Sequence, residues 1–164
     1  MQLDLKKLFE SGDQPLNFQY DLDLTDLEQW GEKPFGTPVA LKGRVVNRAG
    51  IVTLTYSADV AYSTKCARCL EPIQDAMHME FTHTVVRQLN QESDDDYIVV
   101  PNGLLDMDEL ATDDISLELP IRVVCSEDCK GLCPVCGVNL NKETCDCEVP
   151  TWTPGHRNPF EDLL

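Results

Sequence analysis

Eight cysteines in four short pairs constrain this 164-residue chain more than any other feature. The pairs are Cys66-x-x-Cys69, Cys125-x-x-x-Cys129, Cys133-x-x-Cys136 and Cys145-x-Cys147. Zinc takes four soft ligands in a tetrahedron, about 2.3 Å from each sulfur, and a short pair lets one turn supply two of them. Cys133-Pro134-Val135-Cys136-Gly137 carries the strongest such signal, because glycine after the second cysteine permits the tight turn that aims amides at sulfur. After eight intervening residues, Cys145 and Cys147 can close a local site with that pair. A short loop costs little entropy to close. Cys66 and Cys69 then join Cys125 and Cys129, closing a loop of more than fifty residues. A crossed arrangement, with Cys66 and Cys69 joined to Cys133 and Cys136, stays open on spacing alone. Two structural zinc sites using all eight cysteines are expected, each adding on the order of 10 kcal/mol of folding free energy.

Metal is favoured over disulfides by the compartment the sequence implies. Charges in Met1–Leu8 interrupt what would have to be the apolar core of a signal peptide. Nor does any apolar run approach the ~20 residues of a membrane helix. The expectation is a cytoplasmic protein with no membrane partner, whose thiols stay reduced. A redox-active CxxC would call for a βαβ setting, which Cys66 lacks. The spacings also differ from ferredoxin runs. Four thiolates fill a zinc shell and leave no place for a reactive water. No nucleophile elbow or phosphate-binding glycine loop occurs either. No catalytic residue and no small-molecule substrate are therefore expected.

Charge narrows the partners. With 29 acids against 13 bases the formal net charge is −16. Each site of four thiolates and one dication carries two further negative charges, so two sites make the total −20. Such a surface repels phosphate backbones and anionic lipid, so direct contact with RNA is disfavoured. Lys65, Arg68, Arg122, Lys130 and Lys142 lie near the cysteines, where they serve either to neutralise thiolate charge or as a small basic patch for RNA. Ten acids and no bases fall between Glu92 and Glu118, a one-sided field suited to a basic protein.

The first ninety residues read as strands. Leu16, Phe18, Tyr20, Leu22 and Leu24 alternate with polar residues. Thr25-Asp26-Leu27-Glu28 offers a cap for a short helix ending before Gly31. Val39–Val46 and Ile51–Tyr62 flank Asn47-Arg48-Ala49-Gly50, a hairpin turn, with Val52, Leu54, Tyr56, Ala58, Val60 and Tyr62 on one face. A further strand spans about Ile73 to Val86. Asp106 is expected to cap a helix burying Met107, Leu110, Ala111, Ile115 and Leu119 and stopped by Pro120. The Glu92–Asp96 cluster reads as a solvated loop, and Asp113 and Asp114 as solvent-facing. His78 and His83 fall on opposite sides of their strand, and His156 stands alone in the tail. In that tail Trp152, Pro159, Phe160, Leu163 and Leu164 lie in a segment too short to fold alone; they either dock on the chain's own sheet or anchor a partner protein.

Several of these segments together resemble one family. Cys66-Ala67-Arg68-Cys69-Leu70 precedes a strand, and Leu117-Glu118-Leu119-Pro120-Ile121 closes an acidic helix. Cys125-Ser126-Glu127-Asp128-Cys129-Lys130-Gly131-Leu132-Cys133-Pro134-Val135-Cys136-Gly137-Val138-Asn139-Leu140-Asn141 follows, and the chain closes on Asn158-Pro159-Phe160-Glu161-Asp162-Leu163-Leu164. This pattern resembles the bacterial YceD family, the large ribosomal RNA subunit accumulation proteins. It covers most of the chain, is specific in the cysteine segments and is weak over residues 1–40. The resemblance implies a non-catalytic role in accumulation of large-subunit ribosomal RNA, with a ribosomal protein or large-subunit assembly intermediate as partner. A zinc-ribbon nucleic-acid binder and a CxxC thiol oxidoreductase are the competing readings. The expected fold is α+β: an antiparallel β-sheet or small barrel with an acidic loop and helix over 1–120, a zinc-ribbon-like module over 121–149, and a Pro/aromatic tail over 150–164.

Overall fold

A computed structural model describes residues 1–11, 14–88 and 97–148. It divides the chain into two compact units: Met1–Thr64 with Pro72–Val123, and Lys65–Glu71 with the chain from Val124 onward. The first unit is α+β, mostly strand with few helices. Its elements are β1 (Gln2–Asp4), α1 (Lys6–Ser11), β2 (Leu16–Leu22), β3 (Val39–Arg48), β4 (Ile51–Lys65), β5 (Pro72–Val86), β6 (Tyr97–Val99), β7 (Leu104–Asp106) and α2 (Met107–Glu118). The last residue of β4, Lys65, is counted with the second unit.

Alternation builds the main sheet. Val52, Leu54, Tyr56, Ala58, Val60 and Tyr62 of β4 are all buried, as their period of two requires. Val39, Leu41 and Val45 of β3 and Phe18 and Leu22 of β2 add to the same core. Burying each such side chain is worth about 1.5–3 kcal/mol. β3 and β4 pair antiparallel from Ala40↔Asp59 to Arg48↔Ile51. Their two-residue turn has both members in the left-handed region, Ala49 at φ 52° and Gly50 at φ 86°, which matches the twist of a tight hairpin. Gly43 faces Tyr56 across this ladder, and any Cβ there would sit 2.6 Å from Phe18 Cζ and 2.7 Å from the Thr55 carbonyl oxygen. Only glycine lets Phe18 and Tyr56 close over that point.

The sheet order is β2-β3-β4-β5-β6. Asp59 meets His78 and Tyr62 meets Asp75, so numbering falls along β5 as it rises along β4, an antiparallel pair. β6 instead pairs parallel to β5, from Thr84↔Tyr97 to Val86↔Val99. The sheet is thus mostly antiparallel, as expected, with one parallel pair, and among the described residues β2 and β6 stand at opposite ends of its order rather than closing a barrel. A separate two-stranded sheet joins β1 to β7. These three-residue strands, with α1, carry too few residues to show a period.

The helix expected after Thr25 does not form. Asp23 Oδ1 accepts from Thr25 N at 3.0 Å and from Thr25 Oγ1 at 2.7 Å, a side-chain turn that competes with helix nucleation. The chain then reverses across Trp30 (φ 51°) and Gly31 (φ 78°), with Gln29 and Glu32 exchanging backbone hydrogen bonds at 2.8 and 2.9 Å. The acidic helix does form. Asp106 caps α2, accepting from Asp108 N at 3.0 Å and Glu109 N at 3.4 Å, and Asp108 and Glu109 suit its positive first turn. Met107, Ala111, Ile115 and Leu119 are buried, and Leu110 packs partly on the core. The Glu92–Asp96 cluster lies outside the described residues. Among the described residues no helix is long and apolar enough to cross a membrane.

Candidate metal centres

Two C-x-x-C turns, built alike, carry the second unit. In the first, which joins β4 to β5, Cys66 N donates to Glu71 O at 2.8 Å and Leu70 N to Cys66 O at 2.9 Å. Arg68 N then points at Cys66 Sγ at 3.4 Å. In the other, Cys133 N donates to Val138 O at 2.8 Å, Gly137 N to Cys133 O at 2.9 Å, and Val135 N to Cys133 Sγ at 3.4 Å. Closing this turn requires a left-handed residue just after the second cysteine. Gly137 supplies it at φ 76°, and Leu70 does the same at φ 60°.

The eight sulfurs gather in two groups. Cys66, Cys69, Cys125 and Cys129 form one, and Cys133, Cys136, Cys145 and Cys147 the other; within each, all Sγ atoms lie within 4.8 Å of one another. Cys66 Sγ stands 3.8 Å from Cys129 Sγ, and Cys69 Sγ 3.6 Å from Cys125 Sγ. These distances far exceed a disulfide bond of about 2.05 Å. They match the edge of a tetrahedron with arms of about 2.3 Å, which is about 3.8 Å. Either group could hold a metal ion, and four thiols suit a soft or borderline dication better than a hard one. Spacing alone left a crossed pairing open; the structure brings together the nearer set.

Electrostatics within each group is uneven. Burial pushes the Cys66 thiol up, but the N–H groups of Cys69, Arg68 and Cys125 together outweigh it and hold the thiol at about 6. The Cys136 and Val135 amides hold Cys133 at about 6 against its burial. Cys125, beside Cys129 and Cys69, is pushed up to about 12. Cys147, beside Cys136, is likewise pushed up to about 12. Four thiols this close resist ionising together without a cation among them, and thiolate is favoured where amides converge, at Cys66 and Cys133.

A polar scaffold holds the first group. Arg68 Nη1 donates to Cys129 O at 2.9 Å and Glu127 O at 3.1 Å, while Arg68 O accepts from Leu132 N at 3.1 Å. The loop between Cys136 and Cys145 folds back on it. Asn139 Nδ2 donates to Glu71 Oε1 at 3.2 Å, Lys142 Nζ to the same oxygen at 2.6 Å, and Asn141 Nδ2 to Cys129 Sγ at 3.3 Å. Leu132 and Asn139 form an isolated antiparallel bridge. Of the bases near the cysteines, Arg68 and Lys142 are thus engaged in building the unit. Glu71, Asn139 and Asn141 were not singled out in the sequence; the one visible hint is the Asn-x-Asn spacing just after a cysteine turn.

The remaining expectations concern the first unit and the tail. His78 Nδ1 lies 2.6 Å from Asp59 Oδ1, and His83 Nε2 2.6 Å from Asp114 Oδ2, so each histidine has its own carboxylate. Asp114 does not face solvent as expected: its side chain is 13% exposed and also accepts from the Tyr56 hydroxyl. Asp114 stands seven residues after Met107 and three after Ala111, on the helix side that faces the sheet, while Asp113 one step earlier is exposed. Trp152, Pro159, Phe160, Leu163 and Leu164 lie outside the described residues, as does His156.

Comparison with known proteins gives the following similarities. Residues 54–163 match the family model described as large ribosomal RNA subunit accumulation protein YceD. An uncharacterized protein of Mycobacterium tuberculosis is 31% identical over 122 residues, covering 72% of this chain and 53% of that protein. A large ribosomal RNA subunit accumulation protein YCED homolog 1, chloroplastic, of Arabidopsis thaliana is 26% identical over 144 residues, covering 70% and 45%. Its Zea mays namesake is 27% identical over 154 residues, covering 74% and 52%. The chain therefore spans about half the length of these relatives. No solved structure matches it.

Proposed function

Because the chain belongs to the YceD family of large ribosomal RNA subunit accumulation proteins, we propose that it is a non-catalytic cytoplasmic factor supporting large-subunit RNA accumulation and ribosome assembly. The observation that carries this reading is the family match over residues 54–163, which takes in all eight cysteines. Its working parts are the β domain of 1–120 and a zinc-ribbon-like module of 121–149, with Cys66 and Cys69 contributed from within the former. Two zinc ions, held by the two groups of four cysteines, supply structure rather than reactivity, since a complete thiolate shell offers no open position. The closed shells also weigh against a cycling thiol pair. A net charge of −16 favours protein contacts over bare RNA, with the acidic stretch of α2 meeting a basic ribosomal protein. The tail residues Trp152, Pro159, Phe160, Leu163 and Leu164 are proposed as a second anchor; deleting 150–164 should weaken partner binding without lowering stability.

The test is a strain lacking the protein, scored for the ratio of large- to small-subunit ribosomal RNA. The ratio is expected to fall, and to be restored by the wild-type chain but not by Cys66→Ser with Cys129→Ser. An unchanged ratio in the deletion strain removes the ribosomal role. Elemental assay of the purified chain should give two zinc ions, and chelation should unfold the cysteine module; a metal-free, folded chain would remove the zinc sites while leaving the ribosomal role to stand alone.

A further inference from the structure

One side of α2 carries apolar and acidic residues that the core uses only in part, through Leu110. Leu110, Asp113 and Leu117 follow the spacing i, i+3, i+7, so they share a side away from Met107 and Ala111. Leu117 is 85% exposed, an unusual position for a leucine in the last turn of a helix whose opposite face is fully packed. Next to Leu110 the helix borders an open groove of about 340 Å³ whose other walls come from β6 and β7. Its floor is Ile98, Val100 and Leu105; Val99 and Leu104, 41% and 43% exposed, stand at its rim. Glu109 and Asp113, one helical turn apart, form the acidic wall, and no base is among the described residues that line it. From Tyr97 to Glu118 the sequence has six acids and no Lys, Arg or His.

Resting on the reading that the acidic stretch meets a basic ribosomal protein, we propose that this groove is the docking site: it takes a Lys/Arg-rich polypeptide segment that also carries aliphatic side chains. An apolar floor alone would accept many occupants, and an acidic wall alone would attract any cation. The combination selects a chain that seats an aliphatic group on Ile98, Val100 and Leu105 while its bases reach Glu109 and Asp113. Nucleic acid is repelled by the wall. The chain's own tail is a poor occupant on charge, since residues 149–164 set Arg157 against Glu161 and Asp162. Leu117 extends the apolar contact beyond the groove along the same side of α2.

The experiment uses the intact zinc-loaded chain and overlapping 15-residue peptides covering the large-subunit ribosomal proteins of the source organism, with binding read by fluorescence anisotropy. Peptides combining bases with aliphatic residues are expected to bind. Glu109→Gln with Asp113→Asn should weaken them at least 10-fold at a small cost to the first turn of α2, and Leu104→Ser or Leu117→Ser at least 3-fold with the fold kept. Leu117 is exposed enough that its variant keeps the test alive should Leu104→Ser unfold. Binding that follows peptide charge alone, untouched by the leucine variants, overturns the groove and leaves the acidic-face reading standing. Binding of no basic peptide overturns both. Binding seen only after residues 149–164 are deleted makes the tail the occupant and overturns the proposal.

Discussion

Asn141 donates its side-chain amide to Cys129 Sγ at 3.3 Å while its Oδ1 accepts from Lys130 N at 2.8 Å, so a residue from the loop that closes one sulfur group braces a cysteine of the other. An N–H aimed at sulfur favours thiolate over thiol and fixes the rotamer a metal would need. Asn141→Ala is expected to weaken zinc at the group of Cys66, Cys69, Cys125 and Cys129 by about 10–100-fold, leaving the other group near wild type. Asn141→Asp should be no better, because a carboxylate cannot donate. Chelator competition, with cobalt absorption distinguishing the two sites, measures this. Equal affinities at the first site in all three proteins would remove the brace.

Leu70 holds at φ 60° the place that Gly137 holds at φ 76° in the sister turn. A leucine there is strained, at a cost of about 1–3 kcal/mol, part of which glycine returns as extra freedom in the unfolded chain. Since Leu70 is 59% exposed, little burial is lost on removing it. Leu70→Gly should therefore raise the stability of the zinc-loaded protein by up to about 1 kcal/mol, and Gly137→Leu should lower it by a similar amount or more. No atom lies within 4 Å of a Cβ built on Gly137, so the second effect isolates backbone strain. Denaturant melts at fixed free zinc would show both signs, and a destabilised Leu70→Gly protein would refute the comparison.

The knuckle glycine at 137 made one turn legible, and its absence at 70 did not hide the other, because the cysteine spacing itself was the stronger signal. Long strands were equally plain: β4 shows its buried face in six alternate residues. What stayed hidden needed partners distant in sequence. The stretch after Thr25 has an adequate helix cap, yet local side-chain bonding from Asp23 and the reversal at Trp30 and Gly31 took its place. β1 and β7 are three residues each and are defined by one another. The role of Asp114 depends on His83 and Tyr56, which lie 31 and 58 positions away. No local pattern encodes such a meeting.

That meeting should matter for stability. Asp114 accepts from both the Tyr56 hydroxyl and His83 Nε2, joining the middle of α2 to β4 and β5. The hydroxyl belongs to a side chain only 2% exposed, so removing its acceptor leaves a buried donor without a partner. Asp114→Ala is expected to cost about 1–3 kcal/mol, and Tyr56→Phe about 1 kcal/mol. The double variant should cost less than the sum, since the two share one bond. A denaturant double-mutant cycle measures this, and strict additivity would place the two groups in independent settings.

His78 gives the fold a local response to pH. The hydrogen bond that the ring donates to Asp59 raises its pKa first, against partial desolvation, and the charges of Asp59 and of Glu80, 3.7 Å away, add to it. A raised folded pKa means the protonated ring is favoured in the native state. Its contribution to stability is therefore complete below the unfolded value of about 6.5 and fades as pH rises through the folded value. Both partners are exposed, so solvent keeps the effect small. The sharper observable is the ring itself. Its NMR titration midpoint should lie above 6.5 in the zinc-loaded wild type and fall toward 6.5 in Asp59→Asn, with Glu80→Gln giving the smaller drop. Matching midpoints in the wild type and Asp59→Asn would mean that the ring titrates free in solvent and that β4 and β5 gain nothing from the pair.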